Sequence, residues 1–178
     1  MKIKSDPLIS IVMNCHDGEK YLNESISSVI NQTYKNWELI FLDNRSIDSS
    51  KNILNSFKNK KFKYFKTARH LSLYSARNLA IKKTKGEFIS FIDCDDLWQK
   101  NKLESQIKLF KNSKVGVVYG NLFVKKKETR KKYFNYNLKS GYIYKNLIRN
   151  YNIGILTAII RKKILNLKDL LFQMIKYF

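Results

Sequence analysis

Asp93, Asp95 and Asp96 stand directly behind the apolar residues Phe88, Ile89, Phe91 and Ile92. Crowded carboxylates repel one another unless positive charge sits among them. A hard divalent cation with oxygen ligands meets that need well. The segment GEFISFIDCDDLW, residues 86–98, therefore reads as a strand that ends in a metal-ligating turn. Asp95 is the best candidate ligand, with Asp93 close by, and Mg2+ or Mn2+ shared between carboxylate and phosphate oxygens suits such a set. None of the six glycines belongs to a G-x-G-x-x-G or G-x-x-x-x-G-K-[ST] pattern, so no glycine loop is present to clamp phosphates. Diphosphate charge would then fall to a metal and to basic side chains. Arg77, within the SARN of residues 75–78, is the candidate fixed cation, because a guanidinium fork matches phosphate oxygens. Its plain alternative is a surface arginine on a helix.

Two further polar clusters follow apolar runs. LISIVM, residues 8–13, leads into Asn14-Cys15-His16-Asp17, and WELIFL, residues 37–42, leads into Asp43-Asn44-Arg45-Ser46. Polar residues after one strand are ordinary. Three such ends together form a crevice of the kind in which open α/β sheets bind ligands. His16 and His70 are too isolated in sequence for a zinc site, and no Ser/His/Asp order stands out.

The elements that must position these residues alternate. Strands are expected at 8–13, 37–42, 62–66 and 87–92, with helices at 19–32, from Ser46 or Asp48 to about 58, at 72–84 and at 99–111. Shorter strands are expected at 115–119 and 121–125, a helix at 142–149 and a strand at 153–160. This order predicts an α/β fold with a mostly parallel central sheet in a single domain over 1–178. Residues 7–125 would form its ligand-binding part, and 126–178 a partial second segment with a terminal helix.

The formal charge of +21, from 35 Lys and Arg against 14 Asp and Glu, calls for polyanionic surroundings or reflects a lysine-rich base composition. Cys15 and Cys94 are distant in sequence and form no CxxC, which fits free thiols in a reducing compartment. No signal peptide and no run of about 20 apolar residues is visible, so a cytoplasmic location is expected. A rival reading, a non-catalytic basic protein for nucleic acid or anionic membrane, draws on the charge and on the aromatics in KKYFNYNLK. It leaves the acids at strand ends unexplained.

The stretches ISIVMNCHDGEKYLNESISSVINQTYKNWELIFLDNRSIDSS and LYSARNLAIKKTKGEFISFIDCDDLWQKNKL resemble the family-2 glycosyltransferases, inverting enzymes with the GT-A nucleotide-sugar fold. The resemblance is close over about 7–125 and looser over 140–163. It implies a nucleotide-diphosphate-sugar donor, a glycan or lipid-linked acceptor, Mg2+ or Mn2+, and no nucleic acid partner. It places Asn14, His16 and Asn44 at the nucleoside, with Asp43 bracing the turn, and makes Arg77 and Asn78 nucleotide contacts. DCDD matches the family's D-x-D motif, so Asp95 would bind the metal and Asp93 would help hold the ribose or sugar side. His16 replaces the usual aromatic residue, and Asn44 a frequent second Asp.

The family's general base, an Asp or Glu, lies downstream of the strand that here reads ILTAIIRKKIL. After that strand this chain carries only Asp169, nine residues before its last residue. The catalytic base is therefore unassigned, and the expectation is a shortened member with weak turnover. The final stretch, 162–178, sets Ile164, Leu167, Leu171, Met174 and Phe178 on one helical side with lysines around it. Such a helix predicts peripheral contact with the inner face of the cell membrane, or packing on the sheet.

Overall fold

The computed structural model describes residues 6–126, 129–149 and 153–165. A six-stranded sheet forms its centre, in the order β3-β2-β1-β4-β8-β5. Here β1 is Ile9–Cys15, β2 Trp37–Asp43, β3 Phe62–Lys66, β4 Phe88–Asp93, β5 Val117–Val118 and β8 Ile159–Arg161. The first four strands in the sheet order run parallel, whereas β8 lies antiparallel to both β4 and β5. Strands β6 (Phe123–Lys126) and β7 (Thr129–Lys132) form a separate antiparallel hairpin.

Every residue of β1 and β2 is buried, because helices cover both faces of the sheet. On one face Ile11, Met13, Leu39 and Phe41 pack with Leu22, Ile26 and Val29 of α1 (Glu19–Ile30) and with Leu103 and Ile107 of α4 (Lys102–Ile107). On the other, Val12, Ile40, Leu42, Ile89 and Phe91 meet Ala76, Ala80 and Ile81 of α3 (Leu73–Lys82). The spacing of Leu22, Ile26 and Val29 is the helical stripe that buries α1. Helices α2 (Ser50–Ser56) and α5 (Tyr144–Arg149) complete the set.

The strand ends opposite the polar crevice are pinned by a buried network. Ser10 Oγ donates to Glu38 Oε1 at 2.6 Å, and the same oxygen accepts from Lys85 N at 2.7 Å. Gly86 N donates to Ser10 Oγ at 2.7 Å. A Cβ on Gly86 would stand 2.6 Å from Ser10 N and 2.7 Å from the Leu8 carbonyl oxygen, so only glycine lets β4 enter this close to β1.

The expected α/β class and parallel centre are observed. Two expectations are corrected. The strand expected at 153–160 is confined to Ile159–Arg161, preceded by a 3-10 turn at Ile155–Thr157. There Gly154 and Thr157 hydrogen-bond locally, the Gly154 carbonyl accepting from both the Thr157 amide and its Oγ1, and this competes with extension. The helix expected over 99–111 is an α-helix only at Lys102–Ile107 and tightens to a 3-10 turn at Lys108–Lys111. The stripe expected at 162–178 opens in a 3-10 turn, Lys162–Ile164, and residues 166–178 lie outside the described residues.

Candidate active site

The register brings the three polar strand ends to one edge. Asn14 stands opposite Leu42 on one side and Asp93 on the other, and Cys15 stands opposite Asp43. Side chains alternate along each strand, so Asn14, Asn44 and Asp93 belong to the α3 face, while Cys15 and Asp43 belong to the α1 face.

On the α3 face, Arg77 Nη2 donates to both carboxylate oxygens of Asp93, at 2.8 and 2.9 Å. The guanidinium is buried, whereas the Asp93 side chain is 35% exposed at the crevice. The chain then turns, with Asp96 N donating to the Asp93 carbonyl oxygen at 3.1 Å. Asp95 points its exposed position outward from this turn. Burial, and then the charges of Asp93 and Asp95, push the Asp96 carboxyl up to about 6, with Arg77 opposing. Asn14 is buried, and neither its amide nitrogen nor its amide oxygen has a hydrogen-bond partner among the described residues. Buried polar atoms are normally paired. Asn44 is fully engaged: its Nδ2 donates to the Leu71 carbonyl at 2.8 Å, and its Oδ1 accepts from Leu71 N at 2.9 Å. It fastens the loop after β3 to the end of β2.

On the α1 face, Asp43 accepts from Ser46 N at 2.6 Å and from the Tyr64 hydroxyl at 2.7 Å, with Lys66 Nζ at 3.8 Å. It is 1% exposed and locks the turn after β2. Burial, followed by the Asp43 carboxylate, pushes the Tyr64 hydroxyl well above its usual range, so it remains the donor. The loops after β1 and β2 are joined side by side. Ile47 N donates to Asp17 Oδ1, Glu19 N to Asp48 Oδ2 and Ser49 N to Glu19 Oε2, at 2.8 to 2.9 Å. Both loops need a left-handed residue, Asp17 at φ 50° and Arg45 at φ 66°.

His16 is exposed at the mouth, its ring 4.3 Å from that of His70 and 3.7 Å from Asp17. His70 follows the end of β3, and its place was readable only from strand order: parallel β3 ends at the same edge as β1. The two cysteines, 79 positions apart in number, also meet here beside Gly18. The pairing with Cys94 holds Cys15 below its usual value against the effect of burial, while the same pairing and burial push Cys94 up. Among the described residues no group of three His, Cys, Asp or Glu side chains is arranged to enclose a metal ion.

Residues 10–166 match the model of glycosyl transferase family 2. The chain belongs to that family. It is 35% identical over 161 residues to the UDP-Glc:alpha-D-GlcNAc-diphosphoundecaprenol beta-1,3-glucosyltransferase WfgD of Escherichia coli, covering 90% of this chain and 63% of that protein. It is 33% identical over 174 residues to an uncharacterized glycosyltransferase of Haemophilus influenzae, covering 96% of this chain and 68% of that one. The fold matches S. aureus TarS in a complex with UDP-GlcNAc, at a TM-score of 0.67 and 23% identity over 93% of this chain and 46% of that one. It also matches a Pyrobaculum calidifontis mannosyltransferase in a complex with GDP-Man and Mn2+, at a TM-score of 0.68 and 16% identity over 89% and 46%. The family-2 chain therefore has the GT-A type of α/β fold, and it spans about half to two thirds of the length of these relatives.

Proposed function

We propose that this family-2 chain binds a nucleotide-diphosphate sugar at the crevice formed by the ends of β1, β2 and β4 and takes part in inverting transfer to a glycan or lipid-linked acceptor. One observation carries the reading most: buried Asn14, with its amide unpartnered, lies in register beside Asp93 of the acid-rich turn. The names of the relatives support a UDP-sugar donor and a diphosphate-lipid acceptor. The diphosphoundecaprenol acceptor named for one relative supports a reaction at the membrane surface, at its inner face in this reading.

In this assignment Asn14 hydrogen-bonds the nucleoside, and His16 with His70 covers its base at the mouth. Asn44 and Asp43 hold the loops that shape the pocket. Arg77 keeps the Asp93 carboxylate fixed so that Asp93 faces the ribose or sugar, with Asn78 beside it on α3. Asp95 is the ligand for Mg2+ or Mn2+, a donor set of one or two carboxylates completed by phosphate oxygens. Asp93, Asp95 and Asp96 crowd three carboxylates into this turn, which fits a cation. When bound, that ion supplies positive charge to the diphosphate leaving group. Transfer itself forms a bond from an acceptor oxygen to the anomeric carbon as the bond to the diphosphate oxygen breaks. The described residues form the donor side of that displacement, and the general base belongs to none of the groups placed here. Asp169 lies outside the described residues.

Calorimetry with UDP tests the proposal. Binding is expected with Mn2+, lost with EDTA and weakened in Asp95→Ala by about 1.5–3 kcal/mol, the size of a charged ligand's contribution. Equal affinity with and without EDTA, or unchanged binding in Asp95→Ala, would refute the assignment.

A further inference from the structure

The register sets Asn14 opposite Asp93, and the residues that follow are Cys15, the last of β1, and Cys94, the first of the turn after β4. The sulfurs converge on one point: a Cβ built on Gly18 would meet Cys15 Sγ at 2.7 Å and Cys94 Sγ at 2.9 Å. Both thiols are free, Cys15 buried and Cys94 partly exposed. The buried Cys15 Sγ donates to Ser50 Oγ at 3.4 Å, and Ser50 Oγ also accepts from Gly18 N at 3.0 Å. No role in the donor site described above uses either thiol. Cys94 nevertheless sits between Asp93, which Arg77 holds, and Asp95.

We propose that Cys15 and Cys94 are a reversible oxidation site, closed to a disulfide by a low-molecular-weight disulfide, and that closure tethers the Asp93–Asp96 turn to the end of β1. The partner that the reagent can reach, Cys94, reacts first, although burial and its pairing with Cys15 hold its proton. Its sulfur gives up that proton as it attacks one sulfur of the reagent; that S–S bond breaks and one thiol leaves with the proton. Cys15 then loses its proton, its sulfur attacks Cys94 Sγ, and the second thiol leaves. Two protein thiols are oxidised to one disulfide, and one reagent disulfide is reduced to two thiols. An S–S bond of about 2.05 Å is shorter than any hydrogen-bonded thiol contact, so closure draws Cys94 toward Cys15 and ties the turn that carries Asp93 and Asp95 to the end of β1. The bond is independent of the proposed function; its effect on nucleotide binding rests on that function.

The 178-residue chain is incubated with oxidised glutathione under native conditions. The expected product is monomeric, lighter by two hydrogens, with peptides of Cys15 and Cys94 linked, and restored by dithiothreitol. Hydrogen exchange at amides 93–96 is expected to change between the two forms, and UDP–Mn2+ affinity to fall at least tenfold on oxidation. Cys15→Ser is expected to stop at a mixed disulfide on Cys94. Two titratable thiols after oxidation, or linkage only between molecules, would overturn the site. A linked chain whose 93–96 exchange is unaltered would overturn the switch. Absent UDP binding in the reduced chain counts against the proposed donor site alone, because linkage and exchange still score this one.

Discussion

Arg77 and Asp93 show how much one pair of residues organises. SARN and DCDD are separable motifs in the sequence, yet in the fold Arg77 of the first and Asp93 of the second make one ion pair, with a single guanidinium nitrogen reaching both oxygens of the carboxylate. With the arginine buried, removing its partner leaves a desolvated charge, and this costs more than the pair itself contributes. Asp93→Asn is therefore expected to lower stability by about 1–3 kcal/mol, and Arg77→Met in the Asp93→Asn background to recover part of the loss. Urea midpoints of the four chains in this cycle check the expectation; additive losses would show that the pair is not coupled. The chemistry-bearing residue types were legible at this scale. Their partners were not: Asn44 is tied to Leu71 and Asn14 is left open, although both are asparagines just behind apolar strands. That difference arises from which loop reaches each side chain, which no local pattern encodes.

Among the elements, α4 carries a conflict that the fold tolerates. Lys102 Nζ lies 4.1 Å over the Trp98 ring and donates to Ser90 Oγ at 3.0 Å, while Ser90 Oγ donates to the Ala158 carbonyl. Burial holds this amine down at about 7 from its ordinary 10.5. The unfolded chain then binds more protons than the native one between about pH 7 and 10.5, so the contribution of Lys102 to stability increases as pH rises through that window. Lys102→Met is expected to be more stable than the parent by about 1–3 kcal/mol at pH 7, with the gap closing toward pH 10. Urea unfolding of both chains across that range checks the sign; a constant gap would show that the amine is not desolvated. The entry of β4 offers a second test. Gly86→Ala forces a Cβ onto the backbone of β1 and is expected to cost about 1–3 kcal/mol, read as a fall in the urea midpoint. The four parallel strands were legible because β1, β2 and β4 are short buried apolar runs and β3 alternates, each bounded by polar loops. Strand β8 was over-extended in that reading because GILTAII is apolar apart from Thr157, and length alone does not separate a strand from a 3-10 turn leading into one.

Across the whole molecule, charge is divided. The acids stand at the strand ends, while the β6–β7 hairpin is basic. Its register sets Lys125 opposite Arg130 and Phe123 opposite Lys132. Like charges directly across a strand pair are destabilising, so the hairpin gains if an anionic surface meets it. Phe123 and Tyr133 are 47% and 62% exposed beside these cations, a combination of aromatic and basic side chains that suits a lipid interface. No helix among the described residues is long and apolar enough to cross a membrane, so contact of this kind would be peripheral. Each basic residue near an anionic leaflet contributes about 1 kcal/mol, and the effect fades with salt as the Debye length shortens. Vesicles containing anionic lipid are expected to float with the chain at low ionic strength, and neutral vesicles without it. Arg130→Glu replaces the Lys125–Arg130 repulsion with an attraction, so it is expected to leave the fold intact or slightly firmer while weakening flotation by tenfold or more. That opposition between stability and binding separates a lipid-facing hairpin from one that is merely rich in lysine: flotation unchanged in Arg130→Glu would assign membrane contact elsewhere in the chain.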